Sequence, residues 1–536
     1  MSLNHFSKNS TTYINTIFIL LIIITMALGQ LLIWKIPYSY PFGGPDELMH
    51  LSMADYISQY LSWPQWDSTK VVRNAYGVSY SPGGSIVYWI HGLSHKLFSH
   101  HRIGAFLLLM VYLTLTIVMY RKNKLAGFLL LAGLFPQTLF TFSYVNSDTG
   151  TIIAALLLGL SIGTFITAKD NIRNFLLLLF FSGLTITAKL HLWAIAFLSL
   201  VWALMYKRQV LVTYNKKIWI LALLLGLLPA SWWFITSYFT NDGDILGIFT
   251  SAKAIAKFGN PDLPSLAREW VDFSMNDFLN STLISLYANW GWMTLHLDYY
   301  EYMLVSIVAI LTILTIYKKI DKKIFIFFCM LILANFAFMV VYSVAYDYQA
   351  QGRYLFPSLY IILGIITTIF INKKIFSKIL LSLLILLSIQ NVYFSTKLAL
   401  FSYVDILLEK PILWEDAPIV PIEKYNKNAK FHIDGFQITE GKLSMRGWAY
   451  DTEKNRAFDA MYLVLKKENT YYKVNLPNES RPDVAAAFGN TNLNTSGFTV
   501  KLIDLQILPK GTYKYLFAVS LDNKITFIDI GHKLKI

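Results

Sequence analysis

Six consecutive residues, Pro45-Asp46-Glu47-Leu48-Met49-His50, place two carboxylates and an imidazole directly after the first long apolar run of the chain. Pro45 suits the first position of a helix, and Asp46 and Glu47 then sit in its first turn, where negative charge complements the helix dipole. His50 follows Asp46 at i+4 and Glu47 at i+3, so three ionisable groups occupy neighbouring faces of one turn. An acidic pair in this position serves either as a helix start or as a general base. Asp148, after Asn146 and Ser147, precedes another apolar run as a helix cap or as part of a site. Lys189 interrupts apolar stretches on both sides, and a cation so near hydrocarbon either snorkels to the interface or finds an anionic partner. Gln351-Gly352-Arg353-Tyr354 opens a late apolar run. It combines a guanidinium, whose planar fork matches two phosphate oxygens, with a glycine that permits close backbone approach. Trp290 and Trp292 flank Gly291 as interfacial aromatics or as a platform for a sugar ring.

An acid with nearby cations meets the needs of a reaction in which a hydroxyl attacks while an anionic group departs. Glycosyl transfer from a lipid phosphate is such a reaction. Asp46 or Glu47 would take the acceptor proton, and Lys189 and Arg353 would hold the phosphate and its growing charge. His50, Asp148, Trp290, Trp292, Gln351 and Tyr354 complete the expected substrate- and phosphate-binding set.

These groups need a scaffold, and composition specifies a membrane one: 536 residues, 55% hydrophobic, mean hydropathy +0.48. Apolar runs at 13–34, 102–120, 125–143, 149–168, 174–188, 190–206, 217–238, 301–317, 323–344, 354–371 and 375–394 predict about eleven spans. The net charge of +14 arises from short clusters between these runs rather than from one soluble face, which argues against nucleic acid as a partner. With the N-terminus inside, the clusters at 121–124, 169–173, 207–217, 318–323 and 373–374 all fall in the cytoplasm, as the positive-inside rule requires. The loops 36–101 and 239–300 and the turns at 146–148, 189–191 and 347–353 then face outward, so every group named above lies on the extracytoplasmic side. The run 13–34 is too long for a signal-peptide core and lacks a small-residue cleavage site, so it reads as a retained anchor. The expected location is the bacterial cytoplasmic (inner) membrane.

The transmembrane domain is expected over 1–400, with a linker at 401–430 and an all-β sandwich over 431–536, where short apolar-polar alternations are bounded by Gly, Asn and Asp. An odd number of spans places that domain outside. The single cysteine, Cys329, lies in an apolar run, which excludes an internal disulfide and a cysteine-based zinc site. There is no Walker A loop and no G-x-G-x-x-G after a strand, so no nucleotide is expected. His95, His100 and His101 are close in sequence but lack a metal-ligand spacing and read as the polar edge of a loop. No cofactor is expected, apart from a divalent cation if the donor is a diphosphate.

In this order, the acidic motif after the first span, Asn146-Ser147-Asp148, Lys189, Trp290-Gly291-Trp292 and Gln351-Gly352-Arg353-Tyr354-Leu355-Phe356-Pro357 resemble a known family. It is the bacterial polytopic membrane proteins grouped as domain of unknown function 2142, related in architecture to the GT-C glycosyltransferases. The resemblance covers roughly 15–395 and implies a mainly α, polytopic bundle. It also implies a polyprenyl-phosphate-linked sugar donor and a catalytic carboxylate in the first outer loop, here Asp46 or Glu47. The family often carries two prolines before the acidic pair, and Gly44 stands in place of the first. The segments Gly447-Trp448-Ala449-Tyr450-Asp451, Arg481-Pro482-Asp483-Val484 and Ser496-Gly497-Phe498 look like small β-domains appended to surface-glycan enzymes, which implies glycan binding or a structural cap. The expected activity is inverting sugar transfer to a cell-surface glycan such as O-antigen or a teichoic-type polymer. A polysaccharide polymerase or ligase using a lipid-diphosphate donor is one rival. A transporter is another, weakened by charges gathered at one face and by the lack of an internal repeat.

Overall fold

A computed structural model describes residues 3–35, 44, 46–74, 76–168, 172–260, 273–290, 295–408, 415–416, 428–439, 442–467, 470–476, 478–505, 508, 510–522 and 524–535. Most of the expected linker, together with Trp292, lies outside them. The chain divides into a unit running to Val404 and a second beginning at Asp405.

The first unit is helical. A long α1 (Leu3–Lys35) leads to two loop helices, α2 (Glu47–Tyr60) and α3 (Val87–Phe98), then to α4 (Ile103–Lys122), α5 (Lys124–Ala132), α6 (Pro136–Thr141), α7 (Asp148–Thr167), α8 (Ile172–Ile186) and α9 (Leu190–Tyr206). After the single turn α10 (Arg208–Leu211) come α11 (Lys216–Thr240), α12 (Ile248–Phe258), α13 (Met275–Tyr287) and a minimal hairpin of β1 (Asn289–Trp290) and β2 (Leu295–His296). The bundle closes with α14 (Tyr299–Tyr317), α15 (Lys322–Ala345), α16 (Phe356–Asn372), entered through a 3-10 turn at Gly352–Leu355, and α17 (Lys378–Leu408).

Eight helices among the described residues, α1, α4, α7, α11, α14, α15, α16 and α17, are long and apolar enough to cross a bilayer. The three other expected runs are shorter or broken. Pro136 supplies no N–H and disfavours helix in the residue before it, so the run at 125–143 becomes the nine-residue α5 and the six-residue α6. The runs around Lys189 form α8 and α9, of 15 and 17 residues, parted where Lys189 adopts an extended backbone. Basic residues collect at one set of helix ends: Arg121 and Lys122 close α4, Lys207 follows α9, Lys216 opens α11, and Lys373 and Lys374 follow α16. The opposite ends hold the start of α7, the α8–α9 break, the end of α15 and the entry to α16.

Two of these ends are held together by an unusually close helix pair. A Cβ on Gly159 of α7 would stand 2.2 Å from the Ile361 carbonyl oxygen of α16, and one on Gly364 would stand 2.5 Å from the Leu160 nitrogen. Gly159 and Gly163 are spaced four apart, the small-residue pattern that lets helix backbones approach in lipid. The contacting pairs advance together along both helices, so α7 and α16 run in the same direction and their N-terminal ends lie side by side.

The second unit is a β-sandwich. One sheet has the order β4 (Ala429–Thr439), β5 (Lys442–Asp451), β10 (Gly497–Asp504), β9 (Asn478–Glu479), with β6 (Arg456–Ala457) pairing β5. The other runs β12 (Lys524–Lys535), β11 (Thr512–Leu521), β7 (Ala460–Lys467), β8 (Thr470–Leu476), β3 (Glu415–Asp416). Leu443, Met445, Leu463, Leu465, Phe498 and Phe517 fill the space between them. The three motifs of this domain serve its own packing. Trp448 and Tyr450 are buried against Phe488 and the short α18 (Pro482–Ala487), and Arg481 is buried with its Nε 2.8 Å from Asp483.

Gly364→Val should therefore force α7 and α16 apart and cost roughly 1–3 kcal/mol through overpacking. A lowered thermal midpoint of the purified protein in detergent is the expected reading, while Ile310→Val, on an exposed face of α14, should leave it in place.

Candidate active site

The start of α2 separates its two acids completely. Glu47 is 1% exposed, and Arg102, ahead of α4, is fully buried beside it. Arg102 donates from Nε to Oε1 at 2.7 Å and from Nη2 to Oε2 at 2.6 Å, a fork-to-fork pair, and the Val145 N–H adds a third bond to Oε1 at 3.1 Å. Glu47, expected as one of two possible bases, is thus spent on an internal ion pair. Gly44 precedes the helix where a Cβ would meet the Tyr144 ring at 2.0 Å, which accounts for a glycine at that position.

Asp46 has a left-handed backbone (φ 57, ψ 14), which aspartate tolerates better than most residues, and its side chain makes no capping bond. Because it stands outside the helical phase, it points away from Glu47. It lines a cavity of about 300 Å³ together with Asp148, Lys189, Asp347, Arg353 and Tyr354. Tyr80, from the loop between α2 and α3, donates its hydroxyl to Asp46 at 3.2 Å. Burial raises the Asp46 carboxyl above the usual carboxylate range, against the opposing pull of the Arg353 charge. His50 also lines the cavity, stacked on Tyr80 with ring centroids 3.9 Å apart and sharing a 2.5 Å hydrogen bond with the Tyr88 hydroxyl. Burial pushes its imidazole well below the ordinary range and keeps it neutral.

The cations come from the paired helix ends. Lys189 Nζ, in the α8–α9 break, is 2.7 Å from Asp148 Oδ1 at the start of α7, and Arg353 Nη1 is 3.7 Å from Asp148 Oδ2. Arg353 also donates to the Tyr144 hydroxyl at 3.2 Å, and its buried Nε has no hydrogen-bond partner among the described residues. The face of Tyr354 lies 5.3 Å from Lys189 Nζ and 5.6 Å from the Arg353 guanidinium carbon, within cation–π range. Two cations share one carboxylate, so this triad carries one surplus positive charge.

Not every expected residue joins the cavity. Trp290 is fully buried, its indole N–H bonded to the Pro136 carbonyl at 3.0 Å and its ring stacked on Phe140, so it packs the bundle instead of presenting a face to a ligand. Gln351 donates to Gln349, which is itself a wall residue. Gly352 is needed for a protein contact, since a Cβ there would lie 2.2 Å from Leu286 Cα of α13 and its N–H reaches Ser285 Oγ at 2.8 Å. That docking fixes the turn carrying Arg353. Tyr80, Asn335 and Asp347 are among the cavity groups that were not foreseen. Asn335 holds the same turn through the Tyr354 carbonyl at 3.1 Å. Asp347 accepts a bond from the Gln349 amide, and burial raises its carboxyl to about 6. Its place in the same short connection as Arg353 was the one available signal.

The sequence model of the predicted membrane proteins DUF2142 matches residues 68–363, more than half of the chain. The protein belongs to the DUF2142 family. The DUF2142 match contains Asp148, Lys189, Asp347 and Arg353 but begins after Asp46, which the Tyr80 loop brings to them. No curated protein matches the chain. Among solved structures, ArnT from Cupriavidus metallidurans bound to undecaprenyl phosphate is similar at 13% identity over 67% of this chain and 60% of that one, with a TM-score of 0.40. The apo state of ArnT gives 14% identity and a TM-score of 0.34 over the same shares. The matched region therefore spans 60% of ArnT's own length.

Glu47→Gln should leave the Arg102 charge buried without its partner and cost about 3–5 kcal/mol, read as loss of monodisperse protein in size-exclusion chromatography. Asp347 tests the opposite sign. Its folded value of about 6 lies above the ordinary 3.8, so the ionised form opposes folding; the penalty is absent below about pH 4 and complete above about pH 6. Asp347→Asn should thus raise the thermal midpoint at neutral pH, by the equivalent of up to about 3 kcal/mol, with the gain vanishing as the pH approaches 4.

Proposed function

We propose that this protein is an inverting membrane glycosyltransferase that moves a sugar from a polyprenyl-phosphate donor to a hydroxyl of a cell-surface glycan. The carrying observation is one cavity that holds Asp46, with no ion pair of its own among the described residues, and the Lys189–Arg353 pair sharing Asp148. The acceptor hydroxyl gives its proton to Asp46 as its oxygen attacks the anomeric carbon. The bond from that carbon to the phosphate oxygen breaks on the opposite face, and its electron pair leaves with the phosphate. Lys189 and the Arg353 fork meet the charge that develops there. A carboxylate raised by burial is a stronger base when ionised, and the Tyr80 hydroxyl orients it.

We read the basic helix ends as cytoplasmic, and on that reading the cavity opens toward the extracytoplasmic face of the bacterial cytoplasmic membrane. Nucleotide sugars are not supplied there, so the donor is lipid-linked. On this reading Lys189 and Arg353 neutralise a monophosphate leaving group and no cofactor is required.

Asp46→Asn should fold normally and lower kcat roughly 10²–10⁴-fold, measured as turnover of a synthetic polyprenyl-phosphate sugar by the purified protein. Loss of one substituent from the surface glycan, seen by mass spectrometry of the producing cells, is the matching expectation. Wild-type turnover and unchanged glycan in both Asp46→Asn and Arg353→Gln would overturn the assignment.

A further inference from the structure

We propose that Asp55, His95 and His101 form a binding site for a divalent transition-metal ion of the zinc class, separate from the Asp46 cavity. Asp55 lies in the second half of α2, His95 in the last turn of α3, and His101 in the connection from α3 to α4. Each histidine presents Nδ1 to the same Asp55 oxygen, at 3.2 Å in both cases, and the three potential ligand atoms all lie within 4.8 Å of one another. In tetrahedral zinc sites with bonds of about 2.0–2.1 Å, neighbouring ligand atoms stand about 3.3 Å apart. The two imidazole–carboxylate separations match that edge. Asp55 Oδ1 and His95 Nδ1 meet at 3.2 Å without the alignment of a good hydrogen bond.

Two imidazoles and one carboxylate are a donor set for zinc, cobalt, nickel or copper, whereas magnesium and calcium call for oxygen ligands. The side chains are about a quarter to two-fifths exposed, at 24%, 32% and 38%, so an ion can enter from solvent and keep water in a remaining position. His100 does not belong to the set. Its ring packs at a tilt of 48° against Trp34 with centroids 4.1 Å apart, and its Nδ1 accepts the Arg102 N–H. The histidine spacing hid the site because the third ligand comes from α2. An ion here would tie α2 to α3 and to the turn carrying Arg102, which grips Glu47 at the other end of α2. The inference does not depend on the sugar-transfer reading.

The full-length protein, purified in detergent, freed of any affinity tag and stripped with a chelator, should take up one equivalent of Zn²⁺ in competition with a chromophoric chelator. The same addition should raise its thermal midpoint. His95→Gln/His101→Gln and Asp55→Asn should lose both the equivalent and the shift. Loading the wild type with Co²⁺ gives a reading that does not depend on the variants folding, and intense visible bands of a four- or five-coordinate site are expected. No uptake by the wild type, a weak octahedral cobalt spectrum, or equal uptake by the double variant would overturn the site.

Discussion

The Glu47–Arg102 pair sets the geometry on which the cavity depends. Arg102 reaches Glu47 with two nitrogens and the Ile33 carbonyl with a third, and Glu47 accepts the Val145 N–H. One buried pair thereby joins α1, α2, the entry to α4 and the connection from α6 to α7. Charges this deeply buried are tolerable only when every lone pair and proton is matched, and loss of either partner strands the other. The pair fixes where α2 begins and how it is rotated. Asp46, the residue immediately before it, then has one direction left.

That arrangement explains how adjacent acids acquire opposite environments. A helical Asp46 would fan out beside Glu47 on neighbouring faces, and both would compete for the same cation. The left-handed backbone at Asp46 breaks the phase, so Glu47 turns into protein and Asp46 into the cavity. Residues in this backbone region are held by their surroundings at some cost, and they concentrate at functional sites. Here the surroundings are Gly44 pressed against Tyr144 on one side and the Tyr80 hydroxyl on the other.

The convergence of Asp148, Lys189 and Arg353 was legible because span polarity and the positive-inside rule assign helix ends to faces without any knowledge of packing. The choice between Asp46 and Glu47 was not, since i+3 and i+4 geometry applies only to residues inside a helix. Arg102 was absorbed into the apolar run 102–120, where nothing nearby in sequence marks a partner on α2. Trp290 was misjudged for a related reason: an aromatic flanked by glycine suggests an interface, and only the fold reveals Pro136 and Phe140 waiting for it. The β-sandwich was readable from alternation, and β7, β10 and β11 carry the segments that showed it. The break at Pro136 lay within the run read as one span at 125–143, where the proline and the following Gln137 and Thr138 were its signal in the sequence.

Asp148 is the residue that keeps the two halves of the proposed reaction distinct. Were Lys189 or Arg353 paired directly with Asp46, their charge would pull its carboxyl down and leave a weak base, and their donors would be unavailable to phosphate. Asp148 instead lies between them, holding Lys189 at 2.7 Å and Arg353 at 3.7 Å. One negative charge orients two cations without cancelling both, so the triad retains a surplus for an incoming anion. The Gly159–Ile361 contact makes this possible, because only closely packed α7 and α16 bring an N-terminal aspartate and an entry-turn arginine to the same depth. On the proposed reading, giving the shared counter-charge to a third residue leaves the Arg353 donors for a phosphate, while burial raises the Asp46 carboxyl.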